Sequence, residues 1–178
     1  SIEEISDDLE SERQSLVQKV GDNVIIRKKE SIGGDNLYSY IHSNGKVGAL
    51  ISLKDDNEEL GKDIAMHVTA SNPKFLSPED VDSETIEKEK QILKAQVEDT
   101  NKPEEIIEKM IEGRLNKFLS EISLLKQPFV KDPSTSIENI LNDHKNSIVE
   151  FTRIEVGEGI ELEQKDFASE VQAQLQNS

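Results

Sequence analysis

The sequence predicts an α+β fold built on antiparallel strands, and three observations predict it. Asn44-Gly45 lies between two runs rich in β-branched and aromatic residues, the signature of a tight hairpin. Apolar residues recur at three- and four-residue steps in several segments, which is the helical period. Two long, highly charged helical stretches, 83–99 and 103–122, are separated only by Thr100-Asn101-Lys102-Pro103, as in an antiparallel helical hairpin.

The elements follow in chain order. Residues 8–20 predict an amphipathic helix, with Leu9, Leu16, Val17 and Val20 on one face, Arg13 at its edge and Gly21 in position to end it. Three strand-like runs come next. The first begins at Val24-Ile25-Ile26 and closes at Gly33-Gly34, the second is 37–41, and the third is 47–53. The last two pair antiparallel about Asn44-Gly45. Asp56 or Asn57 caps a helix that ends near Ala70, and Asp56 with Glu59 has capping-box spacing. Its stripe is Leu60, Ile64 and Val68, and Ser71-Asn72-Pro73 stops it. Ser77-Pro78-Glu79-Asp80 opens a short helical turn.

The first arm of the helical pair is poor in apolar residues, so it projects from the body of the protein. The second carries Ile107, Met110, Ile111, Leu115, Phe118 and Ile122 along one side. That side is either a solvated structural face or a self-association surface, since it exceeds what the polar first arm covers. Beyond it, Gln127-Pro128-Phe129-Val130 leaves the arm and Asp132-Pro133 turns the chain. Thr135 with Glu138 opens a short helix through His144, and 148–156 forms a strand ended by Gly157-Glu158-Gly159. Residues 166–174 predict a last helix with Phe167, Val171 and Leu175 on one side. The stretches 22–53 and 127–162 each read as a small α+β unit, and 22–26 weakly resembles 146–149, which raises a duplicated subdomain.

Composition narrows the function classes. With 21 Lys and Arg against 37 Asp and Glu, the formal charge is −16. Phosphate binding needs clustered cations, so nucleic acid and anionic membrane are not expected as direct partners. A field of that sign speeds encounter with a partner that carries a positive patch. The chain has no Cys, which removes disulfides, thiol catalysis and thiolate metal sites. No apolar run spans a bilayer and no signal-peptide pattern opens the chain, so a cytoplasmic or organelle-interior location is expected. The first residue is Ser1 and not Met, which suggests a fragment of something longer.

Catalytic patterns are missing as well. A P-loop needs a Gly five positions before Gly45-Lys46, where Tyr40 stands, and Gly157-Glu158-Gly159 lacks the third Gly of a dinucleotide fingerprint. His42, His67 and His144 are too scattered for a metal motif, and no nucleophile elbow occurs. No catalytic residue, cofactor or metal is therefore expected. His67, at the edge of the Leu60-Ile64-Val68 stripe, has two readings: a half-buried residue bonded to backbone, or a contact residue on an exposed groove.

Longer runs carry a resemblance. Residues 61–68 read Gly-Lys-Asp-Ile-Ala-Met-His-Val and are followed by Ala70-Ser71-Asn72-Pro73 and by Ser77-Pro78-Glu79-Asp80-Val81. With Lys102-Pro103-Glu104, the run 108–114, Gln127-Pro128-Phe129-Val130, the run 155–161 and Asp166-Phe167-Ala168, they resemble the translation elongation factor Ts family, in family order over nearly the whole chain.

The resemblance implies two related α+β core subdomains, an inserted helical hairpin and a short C-terminal helical module. Residues 1–82 would hold the rest of the first subdomain and the start of the second. Residues 83–126 would be the arm, 127–163 the second subdomain and 164–178 the C-terminal module. It implies a guanine-nucleotide exchange factor that is not itself an enzyme. Such a factor binds GDP-bound elongation factor Tu and must bind the nucleotide-free state better than the GDP state, since equal binding shifts nothing. Partner-facing residues on this reading are Met66, His67, Asn72, Lys74, Phe129 and Phe167. Ile107, Ile111, Leu115 and Phe118 form a dimerisation surface on the arm. The family's N-terminal three-helix domain and its Thr-Asp-Phe-Val segment do not occur in these 178 residues. The expectation is thus a chain that holds the GTPase but exchanges nucleotide poorly. The alternative is a structural or dimerising module with a coiled-coil arm and no exchange activity.

Overall fold

A computed structural model of the chain describes residues 6–21, 24–26, 28–97 and 103–158. They form an α+β structure of five α-helices and antiparallel strands. A three-stranded sheet has the order β1-β2-β5, with β1 at Asn36–Ile41, β2 at Val47–Leu53 and β5 at Ile148–Glu155. The β1-β2 hairpin turns at Asn44-Gly45 as predicted, with Gly45 at φ 66° and the Asn44 side chain accepting from the Lys46 amide. Tyr38 faces Ile51 and Tyr40 faces Ala49 across this pair, and Phe151 faces Ile51 from the other side. Period-2 alternation therefore puts Ala49, Ile51 and Leu53 on one face.

Helix α2, Glu58–Ser71, lies on that face with Leu60, Ile64, Ala65 and Val68 buried against it. Leu124, Phe129, Ile137, Leu141 and Ile148 complete the same cluster. Each large aliphatic side chain withdrawn from water here contributes about 1.5–3 kcal/mol. Residues 36–53 and 148–155 thus meet in one sheet, over a core that also takes in Leu124, Phe129, Ile137 and Leu141. An Asn146 side chain fastens them: it accepts from the Asp55 amide and donates to the Asp55 carbonyl, at 3.1 and 2.8 Å.

The helical hairpin is present as α3, Ser83–Val97, and α4, Glu104–Ile122. Leu93 and Val97 of α3 are buried, whereas no residue of α4 is fully buried. The root of the arm is held by backbone pairing. Lys74 and Phe75 amides donate to the Ile122 carbonyl, and Leu124 and Leu125 amides donate back to Phe75 and Leu76. A second, two-stranded sheet, β3 at Pro128–Phe129 and β4 at Asp132–Ser136, precedes α5 at Ile137–Asp143.

Several local expectations change. Residues 24–26 and 28–34 form no strand. Gly34, at φ 135°, approaches Ser52 on the sheet face opposite α2, so closely that an added Cβ would lie 2.1 Å from the Ser52 hydroxyl. A segment crossing a face cannot join its ladder. Of the two caps offered for α2, Asn57 is the one that forms, accepting from the Leu60 amide at 3.1 Å; the Asp56–Glu59 capping box does not, because Asp56 accepts the Tyr38 hydroxyl at 2.5 Å. Ser136, not Thr135, caps α5. Asp132-Pro133 does not turn the chain: Val130-Lys131 turns it, and Asp132 begins β4 on the sheet edge, where Pro loses no ladder bond. Helix α1, Asp7–Val20, forms and ends at left-handed Gly21 as predicted, but buries none of its residues. The predicted helix at 166–174 lies outside the described residues.

Candidate functional site

The C-terminal half of α2, the loop after it and the tip of the β3-β4 hairpin make one continuous structure, and His67 is its pivot. The spacing Leu60, Ile64, Val68 turns α2 onto the sheet, and His67, one residue before Val68, follows it inward to 0% exposure. Its ring is satisfied on both sides. Nε2 donates to the Gln127 side-chain oxygen at 2.9 Å, and Nδ1 accepts from the Val130 amide at 3.3 Å. Gln127 in turn donates to the Glu121 carbonyl at 2.6 Å, near the end of α4. One imidazole thus ties the arm's root to the hairpin tip. Burial disfavours the charged ring and pushes its pKa below the usual histidine value, against a smaller opposite effect of Gln127. The neutral tautomer with hydrogen on Nε2 is the one both partners require.

The predicted partner-facing residues divide by depth. Met66 is partly exposed and lines a depression of about 400 Å³ with Tyr40, His42, Thr69, Val130 and Lys131. Asn72 and Lys74 also reach solvent. Asn72 caps α2 in the left-handed conformation at φ 49°, and its side chain accepts from the Lys74 amine at 3.0 Å. His67 is neither half-buried nor at the surface. Its backbone bond is the one to Val130, and its other partner is a side chain. Phe129 is buried in the core with its ring centroid 6.0 Å from that of His67. Both act on the surface through what they position, chiefly Val130, which is 41% exposed. Phe167 lies outside the described residues. On the arm, Ile107, Ile111, Leu115 and Phe118 are all partly exposed.

Two further groups frame the site. Arg153 on β5 donates from Nε to the Thr69 carbonyl at 3.2 Å in the last turn of α2, where a cation suits the helix dipole. Lys131 at the hairpin tip pairs with Asp63 at 2.5 Å. The sequence reading assigned no role to Gln127 or Lys131. Gln127 sits in a run quoted for the resemblance, but nothing local distinguishes it; its role comes from a helix sixty residues away. Among the described residues, no three His, Asp or Glu groups are placed to hold a metal, and no helix is long and apolar enough to cross a membrane.

The arrangement is a shaped, partly apolar surface held by buried hydrogen bonds. Comparison with known proteins gives the chain a family. The family model described as elongation factor Ts matches residues 1–158. The chain is 49% identical to elongation factor Ts of Hahella chejuensis over 167 residues, 94% of this chain and 58% of that protein. It is 51% identical to the Azotobacter vinelandii protein of that name over 170 residues, again 94% and 58%. For Cronobacter sakazakii the identity is 45% over 177 residues, 99% of this chain and 62% of the relative. The chain therefore spans about three-fifths of the length of these relatives. With its helical arm, its sheet and the run around His67 all inside the matched region, the chain belongs to the elongation factor Ts family.

Proposed function

We propose that this chain binds the GTPase elongation factor Tu in its GDP-bound form and favours loss of GDP, as part of a guanine-nucleotide exchange factor in translation. The observation that carries the reading is the His67 pivot inside a chain of this family. It fixes the exposed Val130-Lys131 tip beside Met66, so the surface needs no ordering when a partner arrives. On this reading Met66, Asn72 and Lys74 touch the GTPase, His67 and Phe129 hold the tip in place, and Phe167 adds a contact from the C-terminal module. The chain works by differential affinity and forms no covalent bond, so it needs no cofactor. Its place of work is the bacterial cytoplasm or an organelle interior.

The proposed division of labour keeps the residue ranges given above, with 83–126 as the arm and 164–178 as the C-terminal module. The Thr-Asp-Phe-Val segment is not among the 178 residues, so binding outlasts efficient exchange. The test is release of a fluorescent GDP analogue from elongation factor Tu, with complex formation followed by gel filtration. Complex formation with slow release is expected. Fast release would refute the weak-exchange part, and no complex would refute the whole reading.

One observation favours a second role beside the first. Helix α4 buries none of its residues fully although it carries Ile107, Ile111, Leu115 and Phe118 along one side. We propose that this side pairs two copies of the chain. Sedimentation equilibrium of Ile107→Glu/Ile111→Glu against the parent tests it, and an unchanged mass would refute it.

A further inference from the structure

A second cleft, of about 320 Å³, opens between α2, the β3-β4 hairpin and α5. Its floor is apolar, with Leu60 and Ile64 from α2 and Ile140 from α5, while Glu59, Asp63 and Asp132 line it as carboxylates. We propose that this cleft seats the side chain of an arginine or lysine presented by a protein partner. In the part that names the GTPase as that partner, the inference rests on the function proposed above.

Three features of the cleft lead there. A floor of aliphatic side chains below charged groups suits a residue with a methylene stem and a cationic head, which can desolvate the first and keep the second near the rim. The charge is mostly of one sign: three carboxylates line the cleft with His144, and among the described residues the one ammonium paired with any of these carboxylates is that of Lys131, on Asp63. Asp132 is held in its charged form, since the Ser134 hydroxyl and amide donate to it at 2.6 and 3.1 Å and keep its carboxyl below the ordinary range. The Lys131 pair shows that this rim accepts an amine in direct contact. A metal does not fit, because these carboxylates do not converge as a ligand set. The net charge of −16 draws a basic partner toward the surface, and the cleft gives one of its side chains a defined end point.

The probe is N-acetyl-arginine amide, with N-acetyl-citrulline amide as its neutral isostere. Each is titrated into the chain while the methyl resonances of Leu60, Ile64 and Ile140 are followed by NMR. Saturating shifts with the arginine compound, absent with citrulline and lost in Glu59→Gln/Asp132→Asn, are expected. The variant replaces surface carboxylates by isosteric amides, and unchanged resonances of the β1-β2 hairpin verify its fold. No shifts, or equal shifts with citrulline, would overturn the seat. In parallel, the same variant should bind elongation factor Tu about three- to tenfold more weakly at low salt, with the gap closing at high salt. Equal affinity at low salt would overturn the assignment of the GTPase as donor. Arginine-dependent shifts from a chain that binds no elongation factor Tu would leave the seat standing and overturn the proposed function.

Discussion

His67 and Gln127, sixty positions apart, share a 2.9 Å hydrogen bond inside the protein, and that bond sets the tautomer that lets His67 also receive the Val130 amide. The loop before the hairpin and the helix beneath it are therefore fixed by one ring. The cost of removing it follows from the groups left behind.

His67→Phe keeps the ring's bulk and deletes both bonds. It leaves a buried amide oxygen and a backbone amide without partners, each worth about 1–3 kcal/mol. A loss of about 2–4 kcal/mol in urea unfolding is expected, together with weaker binding of elongation factor Tu. Full stability with weakened binding would mean that the ring contacts the partner directly.

The same ring gives stability a pH dependence. Its folded pKa lies below the unfolded value of 6.5, so between the two the unfolded chain holds the extra proton. Stability rises with pH through that window and is lost as pH falls below about 6.5. The slope from this group is at most about 1.4 kcal/mol per pH unit. Urea midpoints of the parent and of His67→Phe at pH 7.5 and 5.5 isolate it: the parent should lose more on acidification, and equal losses would contradict the assignment.

Gly61 lies under the Tyr38 ring, where an added Cβ would come within 2.1 Å of Cδ2. The Tyr38 hydroxyl cannot swing away freely, since it donates to Asp56 and accepts from the Asn57 amide at 2.9 Å. Gly61→Ala gains about 1 kcal/mol of helix propensity but should overpack by about 1–3 kcal/mol, so a net loss is expected. In a Tyr38→Ala background the same change should become stabilising by thermal unfolding. A loss of equal size in both backgrounds would exclude the ring as its cause.

Asn72 ends α2 at φ 49°, a conformation that Gly and Asn tolerate. Asn72→Gly should leave stability within about 0.5 kcal/mol, while Asn72→Val should cost about 1–2 kcal/mol. Equal unfolding midpoints for the two variants would contradict the strain argument.

Much of the fold was legible because its causes are local. Asn44-Gly45 dictates a hairpin through the φ angles those residues accept, and Ser71-Asn72-Pro73 stops a helix by the same logic. The arm reads directly from helical period and charge. Where two neighbours offer the same chemistry, the sequence could not choose. Asp56 and Asn57 both suit a cap, and Tyr38, from another strand, claims the first. Thr135 and Ser136 differ by one residue, and the length of β4 decides between them. The run from Val24 has strand composition, but the segment after it crosses the sheet face at Ser52, where it cannot extend the ladder.

By itself the sequence determined the α+β class, the arm, the strongly acidic surface and the runs that tie the chain to its family, because propensity, period and charge are properties of neighbouring residues. Only the tertiary structure decided that 36–53 and 148–155 share one sheet, that His67 is buried beside Gln127, and that Lys131 closes on Asp63. Those outcomes depend on pairs far apart in the chain, and a buried hydrogen bond or ion pair exists only where packing has brought both partners together and excluded water.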